Sequence, residues 1–177
     1  MKRELLAGLT ALALALPAAA ALQVGAKAPD FTAAASIGGK EFTFKLADAL
    51  KKGPVVLYFY PAAFTPGCTI EAHNFADATD DFAKLGATVI GVSHDDIATL
   101  DKFSTSECRS KFAVAADGDQ AITKAYDAVL AKKPEYADRT SYVIAPDGKI
   151  LLAYTDLKPD QHVALTMKAV EDWKKSH

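Results

Sequence analysis

The strongest constraint on the fold is a buried strand followed by a loop and a helix, between residues 55 and 71. This stretch reads VVLYFYPAAFTPGCTIE. Its first six residues are apolar, β-branched or aromatic, which is typical of a strand buried on both faces. Pro61 ends the strand because proline has no N–H to give to a neighbouring strand. A Pro-Gly turn signal then precedes Cys68, where a helical pattern begins.

Cys68 is therefore predicted to lie in the first turn of a helix. Backbone N–H groups there lack intrahelical partners, and the helix dipole is positive at this end. Both effects favour the thiolate, which is the nucleophilic form of cysteine. Thr65 supplies a hydroxyl that can bond the sulfur or an oxygen beside it. On placement alone, a reactive cysteine and a buried structural cysteine are equally good interpretations.

Strands and helices alternate along the rest of the chain. Buried strands are predicted at 87–93 and 112–116, and the second is followed by a helix from 120 to about 130. A hairpin spans 140–154 across a Pro-Asp-Gly-Lys turn, and Asp160 is expected to cap a final amphipathic helix. This order predicts an α/β fold with a mixed central sheet and helices on both faces.

Residues 1–21 have the composition of a secretory signal peptide. Two basic residues precede an uncharged apolar run at 5–16, and a string of alanines ends at Ala21. The run is shorter than the roughly 20 residues that a membrane-spanning helix needs. Cleavage after Ala21 would leave a single domain at 22–177. We therefore expect an exported protein, in the bacterial periplasm, with no stable membrane association.

The charge balance gives no sign of a polyanionic partner. The whole chain has 20 Lys and Arg against 22 Asp and Glu, and loss of Lys2, Arg3 and Glu4 with the signal peptide leaves 18 against 21. A mildly acidic domain gives no reason to expect nucleic acid or an anionic membrane as a partner. Both a monomer and a homodimer are compatible with the sequence.

The spacing Pro61-x-x-x-Thr65-x-x-Cys68 resembles the active-site signature of the peroxiredoxins. The run TPGCT is close to the form of that signature in the Q-type subgroup, the bacterioferritin comigratory proteins. The opening of the predicted domain, VGAKAPDF at 24–31, is similar to the start of peroxiredoxins and related thioredoxin-fold proteins. The resemblance implies a thioredoxin-like fold. It also implies a thiol peroxidase that reduces hydrogen peroxide and organic hydroperoxides without a metal or an organic cofactor.

The resemblance also implies roles for individual residues. Cys68 would attack a peroxide oxygen and become a sulfenic acid, while Thr65 holds the peroxide and Pro61 shields the sulfur. Arg139 matches the arginine that precedes the late hairpin in the family, and it would stabilise the thiolate and the transition state. Glu71 matches an acidic or amide residue three positions after the cysteine, and its expected role is to orient Arg139. Without the motif, Arg139 would be interpreted as a solvated loop residue.

Regeneration of the thiol is where the sequence departs from the subgroup. Many Q-type members have a resolving cysteine five residues after the peroxidatic one, where this chain has His73. Other members carry it in the helix after the strand at 87–93, so Cys108, near the predicted end of that helix, is the candidate. A thioredoxin-like dithiol protein would then reduce a Cys68–Cys108 disulfide. The bond is expected to require local unwinding around both cysteines.

Three other interpretations stay open at this point. Cys108 would be an inert core thiol if an external thiol resolved the sulfenic acid. Cys68 with His73 and His94 offers thiolate and imidazole ligands for copper or zinc, so an exported copper-binding protein or metallochaperone is the second hypothesis. Thr65 and the absence of a Cys-x3-Cys pair weigh against it. A thioredoxin-type oxidoreductase is disfavoured because the chain has no Cys-x-x-Cys.

Overall fold

The structure, a computed structural model, describes residues 21–177. The expected signal peptide therefore lies outside the described residues, apart from Ala21. None of the helices in this part of the chain is long and apolar enough to cross a bilayer. The elements are, in chain order, β1 (Thr32–Ile37), β2 (Lys40–Lys45), α1 (Leu46–Leu50), β3 (Val55–Phe59), α2 (Pro66–Lys84), β4 (Thr88–Ser93), α3 (Ile97–Ser106), β5 (Ala113–Ala116), α4 (Ala121–Ala125), β6 (Thr140–Ile144), β7 (Ile150–Thr155) and α5 (His162–Lys175).

These strands form one mixed sheet in the order β2-β1-β5-β4-β3-β6-β7. Strand β3 pairs in parallel with β4 and antiparallel with β6. In the antiparallel pair, the last residue of β3, Phe59, lies opposite the first residue of β6, Thr140. The residue before β6 therefore lies beside the loop that leaves β3, and the register alone brings Arg139 towards the loop that leads to Cys68.

The core lies on both faces of the sheet, as the continuous apolar run at 55–59 predicts. All five residues of β3 are buried. Val55, Leu57 and Phe59 belong to one apolar cluster, and Val56 and Tyr58 belong to a second. The alternation follows from the two-residue period of a strand. Residues of α1 and α4 join the first cluster and residues of α2, α3 and α5 the second, which confirms the predicted helices on both faces.

Two details of the sequence prediction are wrong. The helix predicted from 120 to about 130 ends at Ala125, because Asp127 has a left-handed φ of 50° and Val129 then forms a bridge with Ala137. Asp160 does not cap the last helix, whose N-cap position is held by Gln161 without a side-chain hydrogen bond. The start of α5 is anchored instead by the buried ring of its first residue, His162.

Candidate active site

Cys68 is the third residue of α2 and lies in its first turn, as predicted. Thr65 is the N-cap residue and Pro66 takes the first helical position, where a missing N–H leaves no hydrogen bond unmade. The Cys68 side chain is only 2% exposed and packs in the apolar cluster between the sheet and α2. Phe64, just before the N-cap, has a left-handed φ of 62°, a conformation that strains a bulky residue.

Arg139 holds a guanidinium against the sulfur. Its Nη2 lies 3.5 Å from Cys68 Sγ, its Nη1 donates to Glu71 Oε2, and its Nε donates to the Leu157 carbonyl over 2.9 Å. A Cβ at Gly67 would lie 3.0 Å from Nη2, so the missing side chain makes room for the guanidinium. All three nitrogens of the buried guanidinium therefore have partners, and the planar group is fixed in orientation.

Glu71 is the buried partner of Arg139. Its side chain is fully buried, and burial raises the pKa of Glu71 to about 8 although Arg139 acts to lower it. One carboxyl oxygen, Oε2, accepts from Arg139, while Oε1 is buried without a hydrogen-bond partner. The structure thus places Glu71 where it can orient Arg139, the role expected from the sequence.

His162 is the residue of this site that the sequence analysis missed. It is fully buried, with Nδ1 2.8 Å from Ser141 Oγ and Nε2 2.8 Å from the Asp156 carbonyl oxygen. Its Nδ1 also lies 3.7 Å from Glu71 Oε1, and burial lowers the pKa of His162. A histidine at the start of a helix carries no signal of such a contact, because only the packing of α5 beside β6 and α2 creates it.

The loop between β3 and α2 carries the other motif residues. The Thr65 hydroxyl donates to the Ala62 carbonyl over 3.0 Å rather than to the sulfur, so its lone pairs remain available to accept a hydrogen bond. Pro61 is half-buried at the start of this loop. Asp95, two residues after the end of β4, accepts from the Ala63 N–H over 2.8 Å and so fixes the middle of the loop.

Cys108 lies two residues beyond the end of α3, in the turn that leads to β5. Both cysteines are free thiols and belong to the same apolar cluster. Cys108 is fully buried, and burial, with a smaller contribution from Glu107, raises its pKa. The next two residues, Arg109 and Ser110, have left-handed φ angles of 50° and 56°. In this position Cys108 is held as a thiol, which is a poor nucleophile.

Three side-chain pairs tie the Cys108 turn to helix α2. We call this set the α2 ladder. On α2 its members are spaced by four and three residues and so share one helix face, while on the turn they alternate with Cys108 and Ser110. The pairs are His73 Nε2 with Glu107 Oε2 at 2.9 Å, Asp77 with Arg109, and Asp80 Oδ2 with Lys111 Nζ at 3.0 Å.

The residues of the metal hypothesis have other partners. His73 bonds Glu107 within the α2 ladder, and the ring of His94 packs edge-on against Tyr136 with 5.0 Å between ring centroids. Between residues 21 and 177, no group of three or more His, Cys, Asp or Glu side chains is arranged to hold a metal ion.

A thioredoxin-like sheet that presents a cysteine in the first turn of a helix, beside a buried guanidinium, defines a protein of thiol chemistry. Residues 24–153 match the family model described as the AhpC/TSA family. The chain belongs to this family.

Its relatives in sequence are peroxiredoxins of the Bcp type. The chain is 34% identical over 156 residues to Peroxiredoxin Bcp of Bacillus subtilis, an alignment that covers 85% of this chain and 96% of the relative. It is 33% identical over 148 residues to a putative peroxiredoxin bcp of Coxiella burnetii, covering 81% of this chain and 95% of the relative.

Solved structures of Bcp-type and Q-type peroxiredoxins have the same fold as this chain. Peroxidoxin BcpB from Mycobacterium tuberculosis matches with a TM-score of 0.77 and 29% identity, over 85% of this chain and 97% of that one. Peroxiredoxin Q from Xanthomonas campestris matches with a TM-score of 0.69 and 28% identity, over 80% and 90%. The comparisons confirm the predicted thioredoxin-like fold and the predicted thiol peroxidase, and they give no support to the copper-binding alternative.

Proposed function

We propose that this protein reduces hydrogen peroxide and organic hydroperoxides with Cys68 as the attacking thiolate and Cys108 as the resolving thiol. The observation that carries the first half of the proposal is the contact of 3.5 Å between Arg139 Nη2 and Cys68 Sγ, made in the first turn of α2. A guanidinium and the positive end of a helix then act on one sulfur, and both favour the negative charge that the attack requires.

In the first step the Cys68 thiolate attacks one oxygen of the O–O bond. The new S–O bond makes a sulfenic acid, and the other oxygen leaves as hydroxide or alkoxide and takes up the proton that the thiol released on ionising. Arg139, whose Nη2 lies 3.5 Å from the sulfur, would stabilise the charge that develops on the leaving oxygen. The Thr65 hydroxyl, which donates to Ala62, would accept a hydrogen bond from the peroxide O–H and so orient it.

In the second step the Cys108 sulfur attacks the sulfur of the sulfenic acid and displaces water, forming a disulfide. Two electrons and two protons from a thioredoxin-like dithiol protein would restore both thiols. Because Cys108 is fully buried and its pKa is raised, its turn must open before the sulfur can ionise and attack. Strain at Arg109 and Ser110 favours that opening, whereas the α2 ladder opposes it.

The two-cysteine cycle is tested by the intact mass of the protein after one equivalent of hydrogen peroxide. The wild type is expected to lose two hydrogens, whereas Cys108→Ser is expected to gain one oxygen and to react with a sulfenic acid trap. A one-oxygen adduct in both proteins would leave Cys68 reactive and make Cys108 a bystander. Absence of any rapid change in both would overturn the peroxidase mechanism proposed for this site.

Removing rungs of the α2 ladder is expected to speed disulfide formation. Half-exposed pairs of this kind contribute little each, so Asp77→Asn with Asp80→Asn should raise the rate of the second step roughly two- to fivefold. The gain should vanish in high salt, which already screens the wild-type pairs. Asp81→Asn is the matched control, since Asp81 pairs with Lys84 within α2 itself. Equal rates in all three proteins would exclude the ladder from the resolving step.

We also propose that the protein acts after export, on the strength of the basic start and apolar run in residues 1–21. The mass of the protein recovered from the periplasm checks this directly, because cleavage after Ala21 leaves Leu22 as the first residue. A mass that includes residues 1–21 would overturn the proposal of a cleaved signal peptide.

A further inference from the structure

His162 is a buried titratable group to which the two-step cycle assigns no part. Two routes connect it with Arg139. One runs through Glu71, whose Oε2 accepts from Arg139 and whose Oε1 lies 3.7 Å from His162 Nδ1. The other runs through the backbone after β7, where the Asp156 carbonyl bonds His162 Nε2 and the neighbouring Leu157 carbonyl accepts from Arg139 Nε. His162 therefore supports Arg139 from two sides.

The partners of His162 fix where its protons lie. A backbone carbonyl can only accept, so Nε2 carries a proton and donates it to Asp156. In a neutral ring Nδ1 then carries no proton, and it accepts a hydrogen bond from the Ser141 hydroxyl. If Glu71 were ionised at the same time, Nδ1 would lie next to Glu71 Oε1, which has no hydrogen-bond partner. Both atoms would then be acceptors, with no hydrogen between them. One further proton, on either atom, removes this conflict.

We propose that His162 is a positioning residue of the peroxidatic site. It shares one proton with Glu71 and fixes the backbone at 156–157. Arg139 is thereby held beside Cys68, with its positive charge directed at the sulfur. The inference rests on the proposed function and deepens it. His162 does not touch the sulfur, and it acts through Arg139.

The charges around His162 agree with a single shared proton. Glu71 faces it from α2, Arg139 from the segment before β6, and Asp156 from the end of β7, while the ring of Tyr154 on β7 packs against it at 4.8 Å. Arg139 opposes a full charge on the imidazole, and burial lowers the pKa of His162. Burial raises the pKa of Glu71 to about 8. The pair therefore keeps one proton at neutral pH and loses it near pH 8.

Loss of that proton changes the charge behind Arg139. The pair passes from neutral to negative overall, so Glu71 holds the guanidinium more strongly and less positive charge acts on Cys68 and on the leaving oxygen. The rate of the first step should consequently fall as the pH rises through about 8, because the pKa of Glu71 lies there. Ionisation of the thiol alone would give a rate that only rises to a plateau.

The test measures the rate of Cys68 oxidation by hydrogen peroxide between pH 6 and 9.5, with Cys108→Ser in every protein so that only the first step is seen. His162→Gln keeps a hydrogen-bond donor for the Asp156 carbonyl but cannot hold a second proton. Its rate of Cys68 oxidation near pH 7 should therefore stay within about threefold of the parent rate, and the decrease in rate at high pH should begin at a lower pH. In Glu71→Gln the side chain at position 71 cannot ionise, so the decrease in rate at high pH should disappear. In His162→Ala the rate near pH 7 should fall roughly tenfold, because the contacts that hold Arg139 in position are lost.

The exposed His177→Gln serves as the matched histidine control and should keep the parent profile. If the rate of Cys68 oxidation decreases at the same pH in His162→Gln and in the parent, the shared proton is refuted. A parental rate in His162→Ala, checked to be folded by its thermal unfolding, would refute the positioning role.

Alkylation of Cys68 by iodoacetamide separates this inference from the proposed function, because the reaction needs a thiolate and no peroxide. Suppose that peroxide fails to oxidise Cys68 of the parent, while the pH profile of alkylation differs between the His162 variants and the parent. The peroxidase mechanism then fails and the positioning role stands. If oxidation proceeds and both profiles are unchanged in those variants, the positioning role fails alone.

Discussion

Replacing Cys68 by serine is expected to abolish peroxide reduction, with a loss of at least about 10⁴-fold. A serine hydroxyl in the first turn of α2 would not ionise near neutral pH, and oxygen cannot form the counterpart of a sulfenic acid. The check is the consumption of hydrogen peroxide in the presence of excess dithiol. Cys108→Ser, which removes the other thiol, should still consume at least one equivalent of hydrogen peroxide. Activity of the Cys68 variant within tenfold of the wild type would move the reacting thiol to Cys108.

Replacing Arg139 by methionine is expected to slow the first step by roughly 10²–10³-fold, the size of effect seen when a donor to a developing negative charge is removed. Arg139→Lys should recover only part of the rate, since an ammonium cannot serve Cys68, Glu71 and Leu157 together. Stopped-flow oxidation of Cys68 in the Cys108→Ser protein measures this step alone.

The methionine variant needs a stability control, because it leaves the buried Glu71 without its cation. Adding Glu71→Gln replaces the buried carboxyl group that has lost its partner and should restore thermal stability without restoring the rate. Lys158→Met, which removes an exposed cation on the loop that also holds Leu157, should leave the rate unchanged and so exclude a long-range charge effect. Recovery of the rate in the double variant would show that Arg139 acts on folding rather than on the sulfur.

The sequence was informative wherever local chemistry decides the structure. The apolar run of β3, the proline that ends it and the Pro-Gly turn before Cys68 act over a few residues, so they predict the strand, the loop and the helix start. The motif added Arg139 and Glu71 by resemblance. Spacing alone would not have found Arg139, because its approach to Cys68 depends on the pairing of Phe59 with Thr140, eighty-one positions later.

What the sequence could not provide depends on packing between distant elements. His162 has the pattern of an ordinary first residue of an amphipathic helix, and its importance arises only because α5 packs beside β6 and α2. Cys108 does lie near the end of the helix after β4, as predicted, but its contacts with other elements could not be predicted from local pattern. Helix α3 ends at Ser106, and the Cys108 turn that follows is held by partners on α2.

The α2 ladder also leads to an expectation about how relatives of this chain vary. Each rung joins positions that are distant in sequence, 73 with 107, 77 with 109, and 80 with 111, so a change on the helix is tolerated best when its partner on the turn changes too. Reversals of charge at 77 and 109 should therefore occur together among relatives. A relative without a histidine at position 73 of α2 would lack the first of the three pairs, and its residue at position 107 should then vary freely.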